Sequence, residues 1–175
     1  MVDSERILTT KRLQLEPLAV THARELFEPL RDERLYRFYA GQPPESIEEL
    51  RVRFALLAKR RSPDGTEKWL NWVVRLQDGT IIGRMQATIR STYTLIGYDI
   101  FVPYWRKGYG KEAVQAMLEF LESECRVRRV HAIVDSENIA SIRLLESLGF
   151  NRALTGPSDD LPGRTDHQYE RVRPV

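Results

Sequence analysis

The segment Pro103-Tyr104-Trp105-Arg106-Lys107-Gly108-Tyr109-Gly110-Lys111 constrains this chain more than any other. It follows an extended run, Tyr93 to Val102, and leads into a helical pattern from Lys111 to Glu124. Pro103 has no amide hydrogen and stops a strand ladder. Beyond it, Ala113, Val114, Met117, Leu118 and Leu121 share one face against polar Glu112, Gln115, Glu119 and Glu122. The first amides of that helix lack internal partners and carry the positive end of its dipole. Gly108 and Gly110 bring a ligand close to the backbone, and Arg106, Lys107 and Lys111 add charge, so the turn suits phosphate. Taken alone, the same pair of glycines also fits an ordinary helix entry.

Two phosphate-binding patterns do not match. A Walker loop needs a hydroxyl after its Gly-Lys pair, and Glu112 follows Gly110-Lys111. A dinucleotide fingerprint accepts Ala113 as its third small residue, but the preceding strand belongs to an antiparallel run and no acidic residue is placed for a ribose.

Around this loop the pattern is mixed α/β. Arg12 to Glu16 alternates like a strand, and Ala23, Leu26, Phe27 and Leu30 follow at helical spacing with Thr21 as cap. Ser46-x-x-Glu49 opens a second helix that ends at Lys59-Arg60-Arg61, where cations suit the helix terminus. Leu70 to Leu76, Ile81 to Ile89 and Tyr93 to Val102 read as strands, with Asp78-Gly79 as a hairpin turn. Val130 to Val134 is a short strand, and Ile139 to Leu148 is a helix stopped by Gly149, with Phe150 folding back. Asn151–Thr155 and His167–Val172 close the chain as strands, so residues 1–175 are expected to form a single domain.

Composition narrows the function classes. With 27 Lys+Arg against 25 Asp+Glu the net charge is +2, which argues against a nucleic-acid binder working through Lys59–Arg61 or Arg126–Arg129. One cysteine, Cys125, excludes an internal disulfide and a thiolate metal site, so no metal is expected. No apolar run approaches the ~20 residues of a membrane span, and Met1–Arg6 lacks a signal-peptide core; the expectation is a cytoplasmic protein, monomer or homodimer.

The stretch Trp105 to Ala113 resembles the acetyl-CoA pyrophosphate loop of the GNAT superfamily of N-acetyltransferases, and most closely its ribosomal-protein (RimJ/RimL-like) branch. Leu8-Thr9-Thr10-Lys11-Arg12-Leu13-Gln14-Leu15, Ile96-Gly97-Tyr98 and Asn138-Ile139-Ala140-Ser141 through Gly149-Phe150 agree in the same order. The resemblance implies a twisted mixed sheet of about seven strands, flanked by helices and splayed between the fourth, Tyr93–Val102, and the fifth, Val130–Val134. It implies that acetyl-CoA places its pantetheine arm beside the backbone of Ile100, Phe101 and Val102. Its pyrophosphate would meet Arg106, Lys107, Gly108, Tyr109, Gly110 and Lys111. Asn138 would contact the pantetheine arm and Ser141 would lie near the thioester.

The implied reaction is acetyl transfer to a primary amine, on a peptide N-terminus or a small molecule, by direct attack in a ternary complex. A backbone amide near Phe101 or Val102 would stabilise the carbonyl oxygen. Many superfamily members carry a tyrosine where this chain has Leu145, which leaves Ser141 as the hydroxyl for the leaving thiolate. Ser141 also suits first-turn capping on a helix begun by Asn138. The glutamate that often precedes Ile-Gly-Tyr is Leu95 here, so the base is open among Asp99, His131, His22, Glu25 and ordered water. Both departures keep a second expectation in play, an acyl-CoA-binding module without catalysis.

Overall fold

The computed structural model describes residues 5–173; the outer ends of the expected 1–175 domain lie outside the described residues. Eight strands form one sheet. The order along the chain is β1 (Leu8–Thr9), β2 (Leu13–Pro17), α1 (Ala23–Phe27), α2 (Ile47–Leu57), β3 (Lys68–Leu76), β4 (Ile81–Ile89) and β5 (Thr94–Ile100). It continues with α3 (Tyr109–Ser123), β6 (Arg129–Asp135), α4 (Ile139–Ser147), β7 (Asn151–Pro157) and β8 (Thr165–Val172). In space the strands run β1-β2-β3-β4-β5-β6-β8-β7. The expected count of about seven rises to eight because Leu8–Thr9 pairs with Leu15 and Gln14, in a strand too short to show alternation. The splayed fourth and fifth strands are therefore β5 and β6.

Helices cover both faces of the sheet. Leu70, Trp72 and Val74 of β3 pack with Val114, Met117, Leu118 and Leu121 of α3 and Leu145 of α4. Val73, on the opposite face, packs with Leu26, Leu50 and Phe54 of α1 and α2. Trp72, Val73 and Val74 are consecutive apolar residues, so at that point the strand is buried on both faces. Ser46 caps α2 as expected, its Oγ accepting from Glu49 N at 3.1 Å. Thr21 does not cap the first helix. Val20–His22 is a 3-10 turn, and it is His22 Nδ1 that accepts from Ala19 N at 2.9 Å, because Thr21 lies inside the turn. The basic stretch after α2 also has a tertiary role, since the Arg60 guanidinium meets Glu5 at 3.0 Å.

The strands around the loop are arranged to open. β4 and β5 pair in full from Gly83↔Ile100 to Ile89↔Thr94. β5 and β6 are the parallel pair, and they are joined only at Thr94↔Val130 and Leu95↔His131. Beyond Leu95 they separate. Phe101 N donates to Ile82 O at 2.8 Å, and from that register the backbone groups of Tyr98 and Ile100 point away from β4, into the gap. At the other end Gly149 has φ of 81° and Phe150 N reaches Leu145 O, so Phe150 returns to the core as its sequence suggests.

Candidate active site

The parted strands frame a cleft of about 840 Å³, whose lining includes Arg106, Gly108, Tyr109, Gly110 and Lys111 of the loop and Phe38, Tyr39 and Leu161. Gly108 is the N-cap of α3 with φ of 79°, a left-handed conformation that glycine adopts without strain. Gly110 is needed for a different reason. A Cβ there would lie 3.1 Å from Leu144 Cδ1 and 3.5 Å from Ile100 Cγ1, so its bare backbone lets α3 begin between β5 and α4. The cap residue brings no side-chain hydrogen bond, which leaves the first-turn amides to a ligand.

The loop is braced by residues that its own sequence does not announce. Glu112 Oε1 accepts from Thr10 Oγ1 at 2.6 Å and from Arg12 N at 2.9 Å, while Arg12 Nε donates to Glu112 Oε2 at 2.6 Å. Arg12 Nη1 then reaches Lys107 O at 3.0 Å, and the guanidinium lies 4.5 Å from the Tyr109 ring centre. Thus the β1–β2 turn clamps the glycine turn through Lys107 on one side and Glu112 on the other. Burial pushes the Glu112 carboxyl up, but donors from Thr10 and Arg12 outweigh it and hold it below the ordinary 4.5. A depressed carboxylate stabilises the fold above its unfolded value, and that contribution fades as pH falls through the folded value. Glu112→Gln is therefore expected to lower unfolding free energy at pH 7 by about 1–3 kcal/mol, with wild type and variant converging as pH falls below the ordinary carboxylate range. Urea unfolding at pH 7 and pH 3 checks this, and a gap of equal size at both would refute it.

Of the residues expected to meet acetyl-CoA, Ile100, Arg106, Gly108, Tyr109, Gly110, Lys111, Asn138 and Ser141 line the one cleft. Lys107 is not among the lining residues; its Nζ lies 5.5 Å from the ring centre of Tyr104, which does line the cleft. Phe101 is buried in the α1–α2 side of the core, and its amide is held by Ile82, so that amide is not the donor for a carbonyl oxygen. Val102 opens a 3-10 turn. Trp105 Nε1 donates to Ile100 O at 2.5 Å, which folds the indole back over the end of β5.

The helix start at α4 separates the two roles open to Ser141. Asn138 is the cap, and its Oδ1 accepts from Ser141 N at 3.2 Å. The Ser141 hydroxyl does no capping. Tyr98 Oη lies 3.5 Å from Ser141 O, and burial pushes its phenol up to about 12. Leu145, at the position where a tyrosine is common, is 1% exposed and belongs to the core.

The base candidates sort by their partners. His131 is held between Glu170 and Gln168 and stacks on Tyr93 at 4.6 Å. His22 is buried against Glu16 at 3.2 Å, and Glu25 pairs with Arg75 at 2.9 Å, both away from the cleft lining. Asp99 lines the cleft and is paired to Arg84 at 2.5 Å. No group of three or more His, Cys, Asp or Glu among the described residues could hold a metal ion, and no helix there is long and apolar enough to cross a membrane.

The sheet thus parts after two parallel residue pairs, with a glycine-built helix start at the opening. Residues 12–151 match the acetyltransferase (GNAT) domain, and the chain belongs to that family as an N-acetyltransferase. It is 28% identical over 155 residues to the uncharacterised N-acetyltransferase YoaA of Bacillus subtilis, covering 83% of each chain. It superposes on a GNAT-family acetyltransferase from Bacillus anthracis with a TM-score of 0.78 at 21% identity, covering 95% of this chain and 98% of that one. It superposes on RimL, a ribosomal L7/L12 alpha-N-protein acetyltransferase solved with coenzyme A, with a TM-score of 0.82 at 18% identity over 95% and 98% of the two chains.

Proposed function

We propose that this protein transfers acetyl from acetyl-CoA to a primary amine held at the Phe38–Tyr39–Leu161 end of the cleft. The observation that carries the reading is that three features line one cleft. These are the first turn of α3, the β5 edge left unpaired with β6 beyond Leu95, and Ser141. In this reading Arg106, Lys111 and the amides of Tyr109 to Lys111 hold the diphosphate of the substrate. The Tyr98 amide and carbonyl and the Ile100 amide on that edge pair with its amide-bearing arm, as a missing strand would, while Ile100 O is taken by Trp105.

The amine nitrogen attacks the thioester carbon, the carbon–sulfur bond breaks, and the sulfur leaves with the electron pair. A lysine-like amine has an ordinary pKa near ~10.4, so it must shed a proton before attack. Asp99 and water in the open cleft are the acceptors at hand, and Ser141 is the donor for the departing sulfur. RimL acts on the N-terminus of a ribosomal protein, and the likeness extends that acceptor class, or a small-molecule amine, to this chain. A single domain and a cytoplasmic setting fit the same reading.

A thiol-release screen with acetyl-CoA against N-terminal peptides and small amines tests it. Release that depends on the amine is expected. Tight acetyl-CoA binding with no release for any amine would instead establish the acyl-CoA-binding module that Leu145 and Leu95 first suggested.

A further inference from the structure

At the acceptor end of the cleft two buried donors have nothing to bond to. Tyr39 Oη and Arg84 Nε are each shielded from solvent and without a hydrogen-bond partner, and both residues line the cleft. A buried donor left unmet is costly, and proteins rarely keep two in one place without a use. Their positions are well held. Arg84 stands directly across from Asp99 on the β4–β5 ladder and gives its Nη2 to Asp99 Oδ2. The Tyr39 ring packs 5.4 Å from Tyr36, and a Cβ on Gly41 would come within 2.9 Å of it. Asp99, Arg84, Tyr36 and Arg53 are the ionisable groups around the Tyr39 hydroxyl, and Arg53 stands at the cleft rim.

What this corner lacks is lone pairs, not charge. The Arg84 charge is already balanced by Asp99, so a carboxylate would arrive beside an existing negative group. A neutral carbonyl oxygen supplies the lone pairs without that repulsion. Asp99 Oδ1, with no partner among the described residues, is free to take a hydrogen from an adjacent nitrogen. Donors and acceptor together match an amine with a carbonyl on the neighbouring carbon.

We propose that Tyr39 Oη and Arg84 Nε are specificity-determining donors that read a carbonyl oxygen next to the reactive amine, admitted by a small shift of the segment after the Glu33–Phe38 turn. This rests on the acetyl-transfer reading above and adds to it which amines are selected and by what. The alternative is that both donors are met by structural water and play no part in selection.

Alaninamide and 3-methylbutan-2-amine share one heavy-atom skeleton and differ in the carboxamide that carries that carbonyl, and they are compared at equal concentrations of the free base. Wild type is expected to favour alaninamide by about 100-fold in kcat/KM, since two donors are left unmet by the hydrocarbon. Tyr39→Phe removes one donor and should cut that preference about tenfold, through KM, with the acetyl-CoA Kd unchanged. Because it deletes an unmet buried hydroxyl, it should not lower the unfolding temperature of the ligand-free protein. A lowered unfolding temperature with unchanged preference would show the hydroxyl already satisfied and overturn the proposal. Equal turnover of the two amines, or turnover of neither with acetyl-CoA bound normally, also overturns it. Failure of wild type to bind acetyl-CoA would count against the proposed function itself, and the ligand-free unfolding comparison would still judge the hydroxyl.

Discussion

Gly108→Val is expected to weaken acetyl-CoA binding about 100-fold, equivalent to roughly 3 kcal/mol, while the folded protein persists. Gly108 holds φ of 79° as the N-cap of α3, where a β-branched residue is strained by about 1–3 kcal/mol. A Cβ also approaches Arg12 Nη2 at 3.4 Å, so the new side chain presses on the clamp between the β1–β2 turn and the loop. The strain is relieved by turning the first residues of α3, which carries the amides of Tyr109, Gly110 and Lys111 away from the diphosphate position. The rest of the helix cannot follow, because Val114, Met117 and Leu121 are fully buried. Calorimetric titration with acetyl-CoA and thermal unfolding measure the two effects separately. A Kd within twofold of wild type would remove these amides from the coenzyme site.

Ser141→Ala should slow turnover about 100-fold with less than a threefold change in acetyl-CoA Kd, as expected when a proton donor is lost but binding contacts remain. The structure makes this test cleaner than sequence alone allows. The capping bond runs from Ser141 N to Asn138 Oδ1, so deleting the hydroxyl leaves the start of α4 intact and stability within a few tenths of a kcal/mol. Tyr98→Phe is the companion variant. Its hydroxyl lies close by, and burial keeps it protonated across the working pH range, so it can donate a hydrogen bond but gives up its proton reluctantly. Wild-type turnover in Ser141→Ala together with a slow Tyr98→Phe would transfer the donor role to Tyr98.

Local signals were legible in the chain to different depths. The ends of helices could be read closely, because caps act within a few residues: Ser46 and Asn138 start α2 and α4, and Gly149 ends α4. The first helix misled, since Thr21 has the chemistry of a cap but sits inside a turn whose amide is met by His22. β1 escaped notice because two residues show no periodicity. Asp99, one of the base candidates, is paired to Arg84, its cross-strand neighbour, a contact set by strand register. Lys107 reads as a phosphate ligand by composition, yet its carbonyl is held by Arg12 and its ammonium turns toward Tyr104. Nothing within the loop encodes that.

The sequence by itself determined the order of the longer strands and helices, the glycine turn that opens α3, and, through its resemblance, the family and the place where the sheet parts, since these are carried by residues close together in the chain. Tertiary structure alone decided the insertion of β8 between β6 and β7, the Arg12–Glu112 brace, and the paired donors Tyr39 and Arg84. Each of these joins segments far apart in sequence. Their geometry is set by which buried faces fit and which polar groups remain unmet after packing, and neither quantity exists until the chain has closed on itself.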